Sequence, residues 1–209
     1  MSSEQTVFVV DDDEGVREGL SLLLSTIGQP CELYESALEF LDKYDNSKDG
    51  CLVLDIRMPR MTGLDLQEKL IEMGSRLPVI FITGHGDIPM AVEAMRRGAV
   101  DFIRKPFREH DLLDRINEAL TVSDEARLRT LDRQALDVKL SSLSNREWEV
   151  FERVAIGDMN KVIAADLGIS ERTVEVHRGQ VMRKLDVSTL AQLVRVKIES
   201  ELVTETDSR

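Results

Sequence analysis

Five times in the first 120 residues a short run with apolar residues, almost unbroken in three of the five, gives way to an amphipathic stretch. The runs are "VFVV" (7–10), "CELYE" (31–35), "CLVL" (51–54), "PVIFIT" (78–83) and "DFIRK" (101–105). After the first, Val16, Leu20, Leu23, Leu24 and Ile27 recur at helical spacing with Gly28 just past their end. Further helices are expected around 37–44, over 63–73 with a stop at Gly74, over 88–99 and over 107–120. Strands that are apolar at successive positions must be covered on both faces. A β-then-α alternation supplies the covering helices, so the pattern predicts a five-stranded parallel sheet with helices on both sides. In such sheets ligands bind beyond the carboxyl ends of the strands.

Those ends carry the charge. Asp11, Asp12 and Asp13 follow the first run, Asp55 follows the third, Thr83 closes the fourth and Lys105 the fifth. A carboxylate at the mouth of a buried strand is costly unless something pairs with it, and several gathered at one edge repel each other. One hard divalent cation relieves that repulsion, and magnesium fits because it takes one or two carboxylates and keeps several waters. A lysine and a hydroxyl opposite the cation suit an anionic group that arrives later. A phosphoryl group accepted by Asp55 satisfies both sides, since metal and lysine neutralise charge on its oxygens.

Each residue alone has a plainer reading: Asp-rich strand ends are often solvated turns, Lys105-Pro106 a surface turn, Phe102 a core residue. Their shared register is what makes the set specific. Other chemistries fit worse. "DDDEG" lacks the alternating acids and terminal glutamate of an EF-hand loop, and a phosphatase with an aspartyl nucleophile would want an acid where Arg57 stands. His85 has no nucleophile to serve and reads as a loop residue, His110 as an exposed helix residue.

From Phe107 to Ile156 there is neither glycine nor proline. Leu128, Leu131, Ala135 and Val138 fall at 3-4-3 spacing, so the connector 121–141 is expected to be helical, either as a coiled coil or as a single helix packed on its own domain. Beyond Leu143 only helical periodicity remains. "SNRE" (144–147) has the form of a capping box, Gly157 ends the helix it opens, and a short helix over 160–167, the turn "GIS" and a longer helix to about Leu185 form a helix-turn-helix. A fourth helix opens at Ser188 or Thr189.

The net charge of −12 argues against simple nucleic-acid binding, but it is unevenly spread. Residues 1–120 hold 13 basic and 23 acidic side chains, whereas 161–184 hold 5 basic and 3 acidic, a weak positive patch. Hydrophobic content of 42% and charged content of 32% describe a globular protein. There is no apolar stretch near the ~20 residues that span a bilayer, and "MSSEQTVFVV" lacks the basic start and cleavage site of a secretory signal. Cys31 and Cys51 are expected to be reduced structural thiols. Together these features point to the cytoplasm.

On "VVDDD", "LVLDIRMPRMTGLDL", "VIFITGHGD" and "DFIRKPF", residues 5–120 resemble the receiver domain of two-component response regulators. The resemblance implies a flavodoxin-like (CheY-like) fold with Asp55 as phosphoacceptor. It implies Asp12 and Asp55 as direct Mg2+ ligands with the Arg57 carbonyl, and Asp11 acting largely through water. Thr83 and Lys105 would hold the phosphoryl oxygens, Phe102 would be the aromatic that shifts on activation, and Lys105-Pro106 would be cis. Asp13 is given no direct ligand role.

On "LSNREWEVF", "GDMNKVIAADLGISERTVEVHRGQVMRKL" and "LAQLVRV", residues 142–209 resemble the DNA-binding domain of the LuxR, NarL and FixJ type. Val162, Ile163, Leu167, Ile169, Val174, Val181 and Leu185 would form its core. The third helix of that domain would enter the major groove with Thr173, Glu175, Val176 and His177 toward the bases. Lys161, Arg172, Arg178, Arg183 and Lys184 are candidates for phosphate contact. Glu175 either accepts from cytosine N4 or serves as a cap or helix salt bridge, and His177 divides likewise between DNA and packing. Glutamate at 175 favours the FixJ-like branch, whose members include regulators of catabolic operons such as styrene breakdown. Leu190, Leu193, Val194 and Lys197 would be either a dimer face or core.

The resemblance therefore implies a non-enzymatic transcription regulator. A sensor histidine kinase would phosphorylate Asp55, the chain would form a homodimer on promoter DNA, and RNA polymerase would be a further partner. The alternative is a phosphate-sink or docking receiver joined to a domain that binds regardless of phosphorylation.

Overall fold

The computed structural model describes residues 5–84 and 88–206. The chain divides into two compact units, Met1–Leu128 and Arg129–Arg209.

In the first unit β1 (Thr6–Val10), α1 (Glu14–Thr26), β2 (Cys31–Tyr34), α2 (Ala37–Lys43), β3 (Gly50–Asp55), α3 (Gly63–Glu72), β4 (Val79–Thr83), α4 (Ile88–Arg96) and β5 (Asp101–Arg104) alternate as the sequence predicts. All neighbouring strands are parallel, in the order β2-β1-β3-β4-β5. The unbroken apolar runs follow from two separate cores. Phe8, Val10, Leu52, Leu54 and Phe81 point to the face covered by Phe40, Leu66, Leu70 and Ala94. Val7, Val9, Cys51, Val53, Ile80 and Ile82 point to the face covered by Leu20, Leu24, Leu112 and Ile116. Successive strand residues thus serve opposite faces, which is why no polar residue interrupts β3 before Asp55.

The helix predicted over 107–120 and the connector 121–141 are one element, α5 (Glu109–Ser141). With no glycine or proline to stop it, the helix continues. Its residues up to Leu128 belong to the first unit. Ser123 is buried there and its hydroxyl accepts the Gly50 N–H at 3.4 Å.

The second unit adds α6 (Asn145–Ala155), α7 (Asn160–Leu167), α8 (Glu171–Lys184) and α9 (Leu190–Thr206). The capping box is present with both bonds: Ser144 Oγ accepts from the Glu147 N–H and the Glu147 carboxylate accepts from the Ser144 N–H. Gly168 ends α7 in the left-handed conformation at φ 66°, where an L side chain is strained, and Ser170 caps α8 two residues later. Val150, Phe151, Val154, Ile163, Val174, Val181, Leu185 and Leu193 form the core, with Leu136 and Leu140 of α5 packed into it. Val162 departs from expectation: it is 39% exposed. One residue is a rotation of about 100° along a helix, and the short α7 turns Ile163 and Leu167 inward instead.

Candidate phosphoacceptor and nucleic-acid sites

The strand order places β1 and β3 side by side at the point where the sheet reverses direction, the usual ligand position in an open parallel sheet. Register brings the strand ends level: Val10 pairs with Leu54, Asp55 with Ile82 and Thr83 with Arg104. Asp11, Asp55, Thr83 and Lys105 therefore meet at one edge, and the first three are buried. Lys105 Nζ lies 2.6 Å from Asp11 Oδ2 and 2.8 Å from Asp55 Oδ1, joining the two carboxylates. Its own N–H donates to the Thr83 carbonyl at 2.7 Å, and Lys105-Pro106 is cis.

The other oxygens are held locally. Asp55 Oδ2 accepts the Arg57 N–H at 2.6 Å and Asp11 Oδ1 accepts the Asp13 N–H at 2.9 Å. Asp13 in turn caps α1, its side chain accepting from the Val16 N–H. Asp12 is exposed. Burial pushes the Asp55 carboxyl above its usual range despite Lys105 beside it. Burial works to lower the Lys105 ammonium, but its bonds to Asp11 and Asp55 outweigh that and raise it. Lys105 therefore stays charged. Phe102 is half-buried against the core on the α4 side of the sheet. His110 is exposed, 3.0 Å from Asp111; His85 lies outside the described residues.

Two residues of this edge carry no obvious chemical signal in the sequence. Arg17 of α1 donates to the Asp11 carbonyl at 2.7 Å and fixes the end of β1. Gly63 opens α3 so close to β3 that a Cβ there would stand 2.3 Å from the Asp55 carbonyl oxygen and 3.0 Å from the Phe81 ring. Only glycine lets α3 approach that closely. The "TG" before an amphipathic run was the available clue.

In the second unit α8 presents Arg172, Glu175, Val176, Gly179 and Arg183 on one exposed face. Thr173 is half-buried and engaged with Ser170, its N–H and hydroxyl both meeting Ser170 Oγ. His177 is half-buried and its Nδ1 is buried without a hydrogen-bond partner. Arg178 reaches Asn160 Oδ1 at 3.5 Å, and Lys161 is exposed on α7. Lys184 is exposed, with its Nζ donating to Glu147 Oε2 at 2.7 Å and the Ser142 carbonyl at 2.8 Å. The Lys184 bond, followed by the Ser144 backbone bond, holds the Glu147 carboxyl down to about 2. Gly179 carries no motif of its own in the sequence. A mid-helix glycine costs about 1 kcal/mol against alanine, and its place on the exposed face between Val176 and Arg183 was the signal.

Residues 7–117 match the response regulator receiver domain family and residues 141–197 the bacterial regulatory proteins of the luxR family. The chain is 47% identical over 193 residues to the response regulator protein TmoT of Ectopseudomonas mendocina, covering 92% of this chain and 88% of that one. It is 43% identical to the transcriptional regulatory protein FixJ of Rhizobium meliloti, covering 94% and 96%. Among solved structures, the response regulator StyR superposes with a TM-score of 0.88 at 47% identity, over 94% of this chain and all of that one. Full-length FixJ from B. japonicum gives 0.60 at 37% identity, over 96% and 99%. No helix of the described residues is long and apolar enough to cross a membrane. A CheY-like receiver with its acidic strand-end cluster, followed by a luxR-type helix-turn-helix, makes this chain a member of the two-component response regulators, a non-enzymatic transcription regulator with a LuxR-type DNA-binding domain.

Proposed function

We propose that a sensor histidine kinase phosphorylates Asp55, and that phosphorylation promotes dimerisation, promoter binding and activation of transcription by RNA polymerase in the cytoplasm. The observation that carries this is the joining of Asp11 and Asp55 by Lys105 at the carboxyl edge of the sheet. Asp55 is held rigidly by β3 and by the Arg57 N–H, so its carboxylate meets an incoming phosphoryl group in a set orientation. Lys105 is close enough to follow the charge as it passes from the carboxylate to the phosphoryl oxygens, and Thr83 offers a hydroxyl from the next strand.

The donor set also suits a metal. Asp12, Asp55 and the Arg57 carbonyl are hard oxygen donors appropriate to Mg2+, with Asp11 contributing through water. When bound, the ion would supply positive charge against the oxygens of the transferred group. Engagement of the phosphoryl group by Thr83 and Lys105, with Phe102 shifting behind them, biases the receiver toward a form whose α4-β5-α5 face associates. Dimerisation then sets two α8 helices on two half-sites. Arg172 and Arg183 on the exposed face, with Lys161 and Arg178, contact phosphates. Glu175 and Val176 face base edges, Thr173 and His177 stand behind them, and Gly179 permits close approach. Lys184 reaches a phosphate only by leaving Glu147.

The test is mass spectrometry and promoter binding with a small phosphodonor and magnesium. We expect the parent to gain one phosphoryl group and bind more tightly, and Asp55→Asn to do neither. Equal modification and equal binding by Asp55→Asn would sink the reading. Tight binding unchanged by phosphodonor would instead favour the alternative of a receiver uncoupled from the DNA-binding domain.

A further inference from the structure

The second half of α5 is apolar on two faces, and the chain uses only one. Leu136 and Leu140, with Leu143 just beyond the helix, pack into the core of the second unit. Leu128, Leu131 and Val138 on the other face are 53%, 48% and 69% exposed, and Ala135 between them is exposed as well. Packing of these four residues on their own domain, one of the two outcomes the sequence allows, is therefore not what the fold does with them.

We infer that this face pairs with the same face of a second copy, as a short parallel two-stranded coiled coil. Three features select that occupant. The 3-4-3 spacing keeps all four residues in one seam along the helix, as an identical, supercoiled partner requires. The seam is symmetric by construction, as a two-fold dimer requires. The flanking charges suit parallel alignment: with Leu128 and Ala135 at a and Leu131 and Val138 at d, Arg127 falls at g and Asp132 at the e position that g faces across a parallel pair. Arg127 now bonds Asp124 at 3.1 Å and stands 3.8 Å from Asp49; in the pair it would give up Asp124 for Asp132 of the second copy.

Two heptads bury far less than the roughly 1,200 Å² of a stable interface. The coil is therefore weak alone and closes when another contact brings two copies together. It rests on the proposed receiver dimer in that respect and adds what the receiver contact lacks. A parallel seam running to Val138, a few residues before α6, sets the direction and separation from which two helix-turn-helix domains approach the DNA.

Single cysteines test it in the full chain with Cys31→Ser; Cys51 is fully buried, its thiol pushed up to about 12 by burial, and stays out of exchange. With phosphodonor and magnesium, Leu131→Cys and Val138→Cys should form disulfide-linked dimers about tenfold faster than Asp137→Cys, which is exposed one residue off the seam. Leu131→Lys with Val138→Lys alters only exposed positions, so the fold should survive while dimer affinity falls by about tenfold or more. Equal cross-linking at the three positions, no linked dimer, or an unchanged affinity in the double variant overturns the inference. The parent's promoter binding with and without phosphodonor is scored separately. A phosphorylation-dependent dimer without the cross-link pattern sinks the coil and leaves the proposed function standing.

Discussion

The two units place their candidate site residues in opposite physical situations. In the receiver, Asp11, Asp55 and Thr83 are buried at the ends of three strands, and Lys105 spans two of them. In the helix-turn-helix unit, Arg172, Glu175, Val176 and Arg183 stand exposed on one helix. Chemistry on a phosphoryl group requires charges held apart from water at fixed distances, and only a folded interior does that. Reading DNA requires donors and acceptors that a groove can reach, which a helix surface supplies without help from the core. Substitutions in the first site should therefore change stability and signalling together, whereas those in the second should change binding alone.

The largest expected break is at Lys105. Lys105→Met leaves two buried carboxylates without their cation, and we expect a loss of about 3 kcal/mol. Urea unfolding of the receiver measures it, and an unchanged midpoint would show that Asp11 and Asp55 are solvated after all. Gly63→Ala should cost about 2–3 kcal/mol, because its Cβ would stand 2.3 Å from a backbone oxygen that cannot move without displacing Asp55. The same variant should slow phosphorylation, a coupling the comparison demands.

A smaller effect belongs to Glu147, the one strongly buried acid of the second unit's cap. Glu147→Ala should cost about 2 kcal/mol, since it leaves the Ser144 N–H and Lys184 without their acceptor. Its carboxyl is held at about 2 against an ordinary 4.5. The folded state binds the proton less readily than the unfolded one, so this contribution is complete above about pH 4.5 and is lost as the pH falls toward 2. Trp148, the single tryptophan of the chain, lies in α6 and reports unfolding of this unit by fluorescence. A parent and Glu147→Ala that lose stability in parallel over that range would refute the assignment.

The smallest change in stability is expected at Arg172. Arg172→Ala should move the melting curve by less than about 0.5 kcal/mol, while the slope of log affinity against log salt falls by about one. If Arg172→Ala unfolds the domain, the contrast between buried and exposed function fails.

Much of this was legible in the residues. The runs of β1, β3 and β4 named those strands because a strand covered on both faces needs apolar residues at successive positions. "SNRE" named a helix start because its two hydrogen bonds join residues three apart. The meeting of Asp11, Asp55, Thr83 and Lys105 was legible for a similar reason: parallel strands bring their ends to one edge whatever their sequence separation. Gly63 was not legible as a constraint, since what it avoids is the backbone of a different element. Nor was the partner of Lys184, since Glu147 lies 37 residues away along the chain.

By itself, then, the sequence determined the order and kind of the elements, their caps, and the residue types available at each site. These depend on period and on neighbours along the chain. Tertiary structure alone decided which charges meet and which apolar faces stay open. Lys105 reaches Asp11 and Asp55 across separations of 94 and 50 residues, while Asp12, adjacent to Asp11, is left exposed. On α5 the same decision turned Leu136 and Leu140 to the core and left Leu128, Leu131, Ala135 and Val138 outside. Helical spacing marks both faces as apolar; only the packed neighbours show which one is already used.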